Sequence, residues 1–318
     1  GGGSVAGLLR NRREESRVSQ GEKTMAEERE ILIVGCGDIG RRVGRLFSAA
    51  GRKVVGVVAG EESATKLKEV GIRPLVANLN DPDELRELPT AKALVFYFAP
   101  PPGGGITDPK VRNFCAVASG ERAPQRLVYV STSGVYGDCG GATVTEETPA
   151  NPQTARAKRR YDAEQTLLRW GAEQGVTVVI LRVTGIYGPG RIPISRLIDG
   201  HPLLRLEESA PTNRIHADDL AQVCVAAAEK GETGEIFNVS DGHPSTMTEY
   251  FLAVAELAGL PRPPLVSMEE ARRVMTPLMI SYLGESRRMD NTRMLERLEV
   301  KLRYPTLAEG LPASLAEG

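Results

Sequence analysis

Histidine is scarce in this chain. His201, His216 and His243 are its only three, and they are not spaced as metal ligands. No metal site is expected. The four cysteines, Cys36, Cys115, Cys139 and Cys224, lie far apart and form no C-x-x-C pair. That argues against a zinc or disulfide framework and for reduced thiols in a cytoplasmic setting. Long apolar runs are missing too. None approaches the roughly 18–20 residues that cross a bilayer, so no membrane partner is expected. Nor is there an excess of one charge. Forty Lys and Arg stand against 41 Asp and Glu, a formal net charge of -1. A nucleic-acid partner would demand a basic surface, and none is expected.

What the chain has is enough apolar material for a substantial core. It is 318 residues long, 41% hydrophobic and 25% charged, the balance of a soluble globular protein. Residues 1–29 stand apart. "GGGS" is followed by a mixed-charge stretch without apolar periodicity and without the apolar centre of a secretory signal. It reads as a disordered extension or a cloning remnant, with Met25 a plausible natural start.

From residue 30, short apolar runs alternate with helical stretches. "EILIVG", "KVVGVVA", "RPLVAN", "ALVFYFA", "RLVYVST" and "VTVVILR" read as strands. Between them lie amphipathic helices, the longest over 152–174, capped by Asn151 and Pro152 and stopped by Gly175. The pattern predicts an α/β fold: a doubly wound, parallel-sheet Rossmann domain over 30–183. After 183 the alternation loosens and helices dominate. Residues 184–318 are expected to complete the sheet and to form a small, mostly helical substrate lobe.

"ILIVGCGDIGRRVG" sets Gly35, Gly37 and Gly40 as G-x-G-x-x-G between a strand and a helix. In that context Gly35 permits the tight turn, Gly37 lets the backbone approach a pyrophosphate, and Gly40 lets helix pack on strand. The helix start at Asp38 and Ile39 then offers its amides to the anion. The expected cofactor is NAD or NADP. Glu61 or Glu62, after the second strand, would favour NAD by accepting from ribose hydroxyls. Arg41 would favour NADP by pairing with a 2′-phosphate. The residues leave that choice open.

Several stretches together resemble the extended and atypical short-chain dehydrogenase/reductases, the NAD-dependent epimerase/dehydratase family, and within it the bacterial YeeZ-like subgroup. They are "RLVYVSTSGVYGD" (126–138), "VILRVTGIYGPGR" (179–191), "NRIHADDLAQ" (213–222), "GEIFNVSDGHPSTMTEYFLAVAELAGL" (234–260) and "RRMDNTRMLERLEVKLRYPTLAEGL" (287–311). The likeness runs in order over about 30–311. It implies that Thr132, with Ser133 beside it, bonds the reacting oxygen. Phe98 and Ala99 at the fourth-strand end, Thr184 after the sixth strand, and Asn78 near the adenine fall on the cofactor side.

The family's Tyr-x-x-x-Lys is missing. Aligning "ARAKRRYDAEQTLL" with the family's S-K-x-x-x-E stretch puts Lys158 at the lysine, which bonds the nicotinamide ribose, and Thr154 at the tyrosine. No lysine of the chain has a tyrosine four residues before it. A threonine hydroxyl is too weak an acid to substitute. Tyr161, Tyr136 and Tyr187 are the alternatives near the expected pocket. Thr212 stands where many nucleotide-sugar members carry an arginine that grips a diphosphate.

Two functions follow. One is an NAD(P)-dependent oxidoreductase-like enzyme of the epimerase/dehydratase or reductase type, acting on a small hydroxyl- or carbonyl-bearing substrate, a class that includes sugar-like molecules. The alternative is a non-catalytic NAD(P)-binding sensor or scaffold. The resemblance also implies a homodimer through 108–119 and 152–174.

Overall fold

The computed structural model describes residues 29–316. The expected extension over 1–29, Arg29 excepted, lies outside the described residues, as does Met25. Seven strands make one sheet: β1 (Ile31–Val34), β2 (Val54–Val58), β3 (Arg73–Val76), β4 (Leu94–Tyr97), β5 (Arg126–Thr132), β6 (Thr177–Val183) and β7 (Ile236–Val239). Their order is β3-β2-β1-β4-β5-β6-β7, with every pairing parallel. This is the doubly wound α/β arrangement expected from the alternating strands and helices. The seventh strand comes from the later half of the chain.

Parallel strands need crossovers, and the helices that supply them cover both faces. Side chains alternate across each strand. Ile31, Ile33, Phe96, Val179 and Leu181 pack on one side with Val43 and Phe47 of α1 (Asp38–Ala49) and with Leu220, Cys224 and Ala227 further on. A short helix, α2 (Glu61–Glu69), follows β2. Leu32, Val34, Val95, Tyr97, Val178 and Ile180 face the other way. They meet Phe114 and Cys115 of α3 (Pro109–Val117) and Ala163, Leu167 and Trp170 of α4 (Ala155–Gln174).

Helix α4 begins three residues later than the sequence suggested. Its N-cap is Thr154, whose Oγ1 accepts from the Ala157 amide at 3.2 Å. A capping hydroxyl satisfies one of the donors the first turn leaves open, and here that places Thr154 outside the helix. The far end matches expectation: Gly175 stops the helix with φ +68°, the left-handed conformation that favours glycine.

Beyond β6 the chain builds α5 (Ala217–Lys230), then β7, then α6 (Met247–Ala258) and α7 (Pro277–Leu283). Tyr187, Leu203, Tyr250, Phe251, Val254 and Leu311 form a small separate core there. Among the described residues, no helix is long and apolar enough to cross a membrane.

The chain leaves β1 toward β2 on one side and reaches β4 on the other. β1 and β4 therefore flank the switch point, where a crevice opens outside the carboxyl ends of the strands.

Candidate functional site

The glycine loop sits at that crevice. Gly35 has φ +81°, and a Cβ there would lie 2.4 Å from the Ala99 nitrogen. Only glycine lets the turn after β1 pass this close to the end of β4. A Cβ on Gly40 would meet the Cys36 Sγ at 2.9 Å and Ile33 Cγ2 at 3.0 Å, so Gly40 is where α1 packs onto β1. Gly37 is different. A Cβ there would meet no atom of the described residues within 4 Å, and Gly37 caps α1 without any side-chain hydrogen bond. The loop thus leaves space in front of helix amides that no side chain caps, the surroundings a dinucleotide's pyrophosphate needs.

Asp38 is committed elsewhere. Arg42 Nε donates to its Oδ1 at 3.0 Å and Arg191 Nη1 to its Oδ2 at 3.1 Å. Arg42 also donates to Asp218 Oδ1 (2.8 Å) and to the Pro189 carbonyl (2.7 Å), tying α1 to the loop after β6 and to α5. Ile39, in the first turn of α1, packs against the core, and Arg41 is half-buried. Phe98 and Ala99 hold the β4 end through amides that donate to the Val34 carbonyl at 2.8 and 3.1 Å. Asn78 is exposed, its Oδ1 accepting from the Asn80 amide at 3.0 Å. Glu61 and Glu62 are exposed in the first turn of α2.

At the same edge of the sheet lies a cavity of about 460 Å³, the size of a small-molecule site. Thr132, Ser133, Thr154 and Thr184 all line it. Thr132 ends β5, and its Oγ1 accepts from the Gly134 amide at 3.1 Å. The Ser133 hydroxyl accepts from Arg287 Nη2 at 3.4 Å, and Thr184 donates to the Val239 carbonyl at 3.2 Å.

Lys158 does not join them. It is exposed and lies outside the cavity lining, so it does not share a pocket face with Thr154 as the alignment required. Arg156 and Arg160 line the cavity instead. Residues four apart share a helix face, whereas the residue midway between them, here Lys158, points about 200° away. Arg160 Nη1 donates to the Val130 carbonyl at 3.1 Å, two residues before Thr132 on β5. The anchor of this helix is Glu164, fully buried. It receives Ser131 Oγ at 2.5 Å and pairs with Arg182 Nη2 at 2.7 Å. Burial alone would lower the Arg182 pKa, but the bonds and charge of Glu164 raise it overall.

The candidate tyrosines are spoken for. Tyr136 Oη donates to Asn238 Oδ1 at 2.6 Å, Tyr161 packs with Val135 and Tyr136, and Tyr187 lies edge-on to His216. None lines the cavity. Tyr282 of α7 does, and Arg156 covers its ring. Glu285, Arg214 and Arg287 also line it. Tyr282, Glu285 and Arg287 lie within six residues of one another, more than a hundred residues beyond α4, and no local motif singled out any of the three as a site residue.

The family model described as NAD dependent epimerase/dehydratase family matches residues 31–240. Protein YeeZ of Escherichia coli K12 is 27% identical over 286 residues, covering 87% of this chain and 97% of YeeZ. A conserved protein of unknown function from Silicibacter pomeroyi has a solved structure that is 31% identical, with a TM-score of 0.77, covering 91% of this chain and 99% of that one. The UDP-glucose 4-epimerase of Thermotoga maritima, solved with UDP-glucose, is 19% identical with a TM-score of 0.74, over 91% and 98% of the two chains, and shares the fold.

Proposed function

Because the chain belongs to the NAD-dependent epimerase/dehydratase family, in its atypical YeeZ-like branch, we propose that it is an NAD(P)-dependent oxidoreductase-type enzyme acting on a small molecule with a hydroxyl or carbonyl group. The observation that carries this reading is one of position. A glycine loop with open space at Gly37 and a cavity with Thr132 in its wall stand at the same carboxyl edge of one parallel sheet.

The amides from Gly37 into α1 would hold the pyrophosphate, and Thr184 and the β4 end would border the nicotinamide half. When bound, the nicotinamide supplies a hydride donor or acceptor. Thr132 is set to orient the substrate oxygen. Its hydroxyl already accepts from the Gly134 amide, so its own proton is left to donate.

The family's K-x-x-x-E spacing, counted back from the buried Glu164, reaches Arg160 and then Arg156. This helix face therefore carries Arg-x-x-x-Arg in place of Tyr-x-x-x-Lys, and Arg160 takes the position first given to Lys158. A guanidinium stays protonated and serves poorly as an acid or base. The phenol of Tyr282 is the group we assign to proton transfer, being the only tyrosine among the described residues that line the cavity.

Fluorescence titration of the purified chain with NADH and with NADPH tests the reading and settles which is preferred. Saturable binding of one of them in the micromolar range is expected. Indifference to both at these concentrations would refute the assignment.

A further inference from the structure

The cavity is far more basic than the chain that encloses it. Arg156, Arg159, Arg160, Arg214 and Arg287 line it against one carboxylate, Glu285, a formal excess of four positive charges in a protein whose net charge is -1. Among the described residues, only Arg287 of these five has a carboxylate within 4.0 Å, Glu285 at 3.6 Å. The others rest on neutral groups. Arg156 donates to Ser281 Oγ at 2.9 Å, Arg159 to the Gly105 carbonyl at 2.8 Å and Arg160 to the Val130 carbonyl. Arg214 lies 3.9 Å over the Tyr250 ring.

These groups are also under-bonded. Arg156 Nη2, Arg214 Nε and Arg287 Nε are buried with no hydrogen-bond partner among the described residues. Burial pushes the pKa of Arg214 and Arg287 below the ordinary arginine value, although Asp241 acts on Arg214 and Glu285 and Asp138 act on Arg287 in the opposite sense. Buried guanidinium donors left open are costly unless something else satisfies them. The cofactor's pyrophosphate is not that partner in this reading, because no residue of the glycine loop lines the cavity. A single carboxylate would leave most of the excess uncompensated.

We propose that the cavity takes a small polyanion as its substrate, a molecule with at least two negative charges on phosphate or carboxylate groups. Arg156, Arg214 and Arg287 grip it, and Arg160 adds charge beside Thr132. Forked guanidinium donors match oxyanions of both kinds. The inference rests on the reading of this cavity as the substrate site of an NAD(P)-dependent enzyme.

The test is calorimetric titration of the full chain, saturated with NADH, with inorganic pyrophosphate, inorganic phosphate, malonate and acetate at constant ionic strength. Pyrophosphate or malonate should bind at least tenfold more tightly than acetate, and the better of the two tells phosphate chemistry from carboxylate chemistry. Arg156→Gln should weaken that binding about ten- to a hundredfold. Lys158→Gln removes the same charge from the solvent side of the same helix and should change it less than about twofold.

A second measurement needs no variant. The bound dianion should raise the melting temperature of the wild-type chain where potassium chloride of equal ionic strength does not. Absence of binding, or equal losses in the two variants, would overturn the inference. If NADH binds and the anions do not, the inference alone fails. If NADH does not bind, the enzymatic reading fails, and the anion titrations repeated without cofactor decide the cavity's preference by themselves.

Discussion

The guanidinium of Arg156 lies 4.0 Å from the centre of the Tyr282 ring, joining the first turn of α4 to a helix more than a hundred residues later. The contact sets the one cavity-lining phenol among the described residues beside the wall that contains Thr132. A cation over an aromatic face is held by the ring's quadrupole, so the two side chains fix each other's positions.

Tyr282→Phe keeps the ring and this stacking and removes only the hydroxyl. If Tyr282 transfers the proton, turnover should fall about 10²- to 10⁴-fold, with NAD(H) affinity and melting temperature unchanged. The check is steady-state kinetics on any substrate the wild type turns over, beside a cofactor titration. Unaltered turnover would remove Tyr282 from the chemistry. A wild-type chain that binds cofactor and turns over no polyanionic hydroxy or keto compound would favour a cofactor sensor or scaffold.

The glycine loop separates two effects that are often confounded. Gly37→Leu places a side chain where no atom of the described residues lies within 4 Å of the Cβ, so the fold should tolerate it while the cofactor does not. Affinity for NAD(H) should drop at least about a hundredfold, roughly 3 kcal/mol, with little change in melting temperature. Gly35→Ala should do the reverse. Its Cβ would collide with the Ala99 backbone at φ +81°, and strain and overlap together should cost about 2–4 kcal/mol of stability. Thermal denaturation and fluorescence titration of both variants check this. Equal destabilisation by the two would contradict the distinct roles of the two positions.

The contrast between this loop and helix α4 shows what was legible in the sequence. Gly35, Gly37 and Gly40 act within one strand–turn–helix unit, where spacing alone carries the geometry. The alternation of apolar runs likewise foretold the parallel sheet, because the strands inside it are buried on both faces, unlike β3 at its edge. Lys158 lies outside the cavity for an equally local reason: a shift of two residues on a helix turns a side chain to the opposite face. The buried Glu164, bonded to Ser131 of β5 and Arg182 of β6, fixes that register, and no one-dimensional spacing reveals it. Tyr282, Glu285 and Arg287 were out of reach for a different cause. They reach the cavity through the docking of the C-terminal lobe, which depends on long-range packing.

Asp241, just after β7, yields a prediction with a definite sign. Burial pushes its pKa up from 3.8 to about 6, outweighing the His243 amide that bonds it and the attraction of Arg214. Its Oδ1 accepts from the His243 amide at 2.9 Å, while Oδ2 is buried without a hydrogen-bond partner among the described residues. The folded chain therefore holds this proton more tightly than the unfolded chain does between about pH 4 and pH 6. Ionisation works against folding, so this group's contribution to stability falls as pH rises through that window. Above the window the cost is fully present, up to about 3 kcal/mol. Asp241→Asn keeps the oxygen that accepts from His243 and removes the charge. The variant should match the wild type near pH 4 and become progressively more stable than it up to about pH 7. Denaturant unfolding at several pH values measures that gap. A gap that stays flat or narrows as pH rises would show that Arg214, rather than burial, governs this carboxylate, and that the two form a working ion pair behind the cavity.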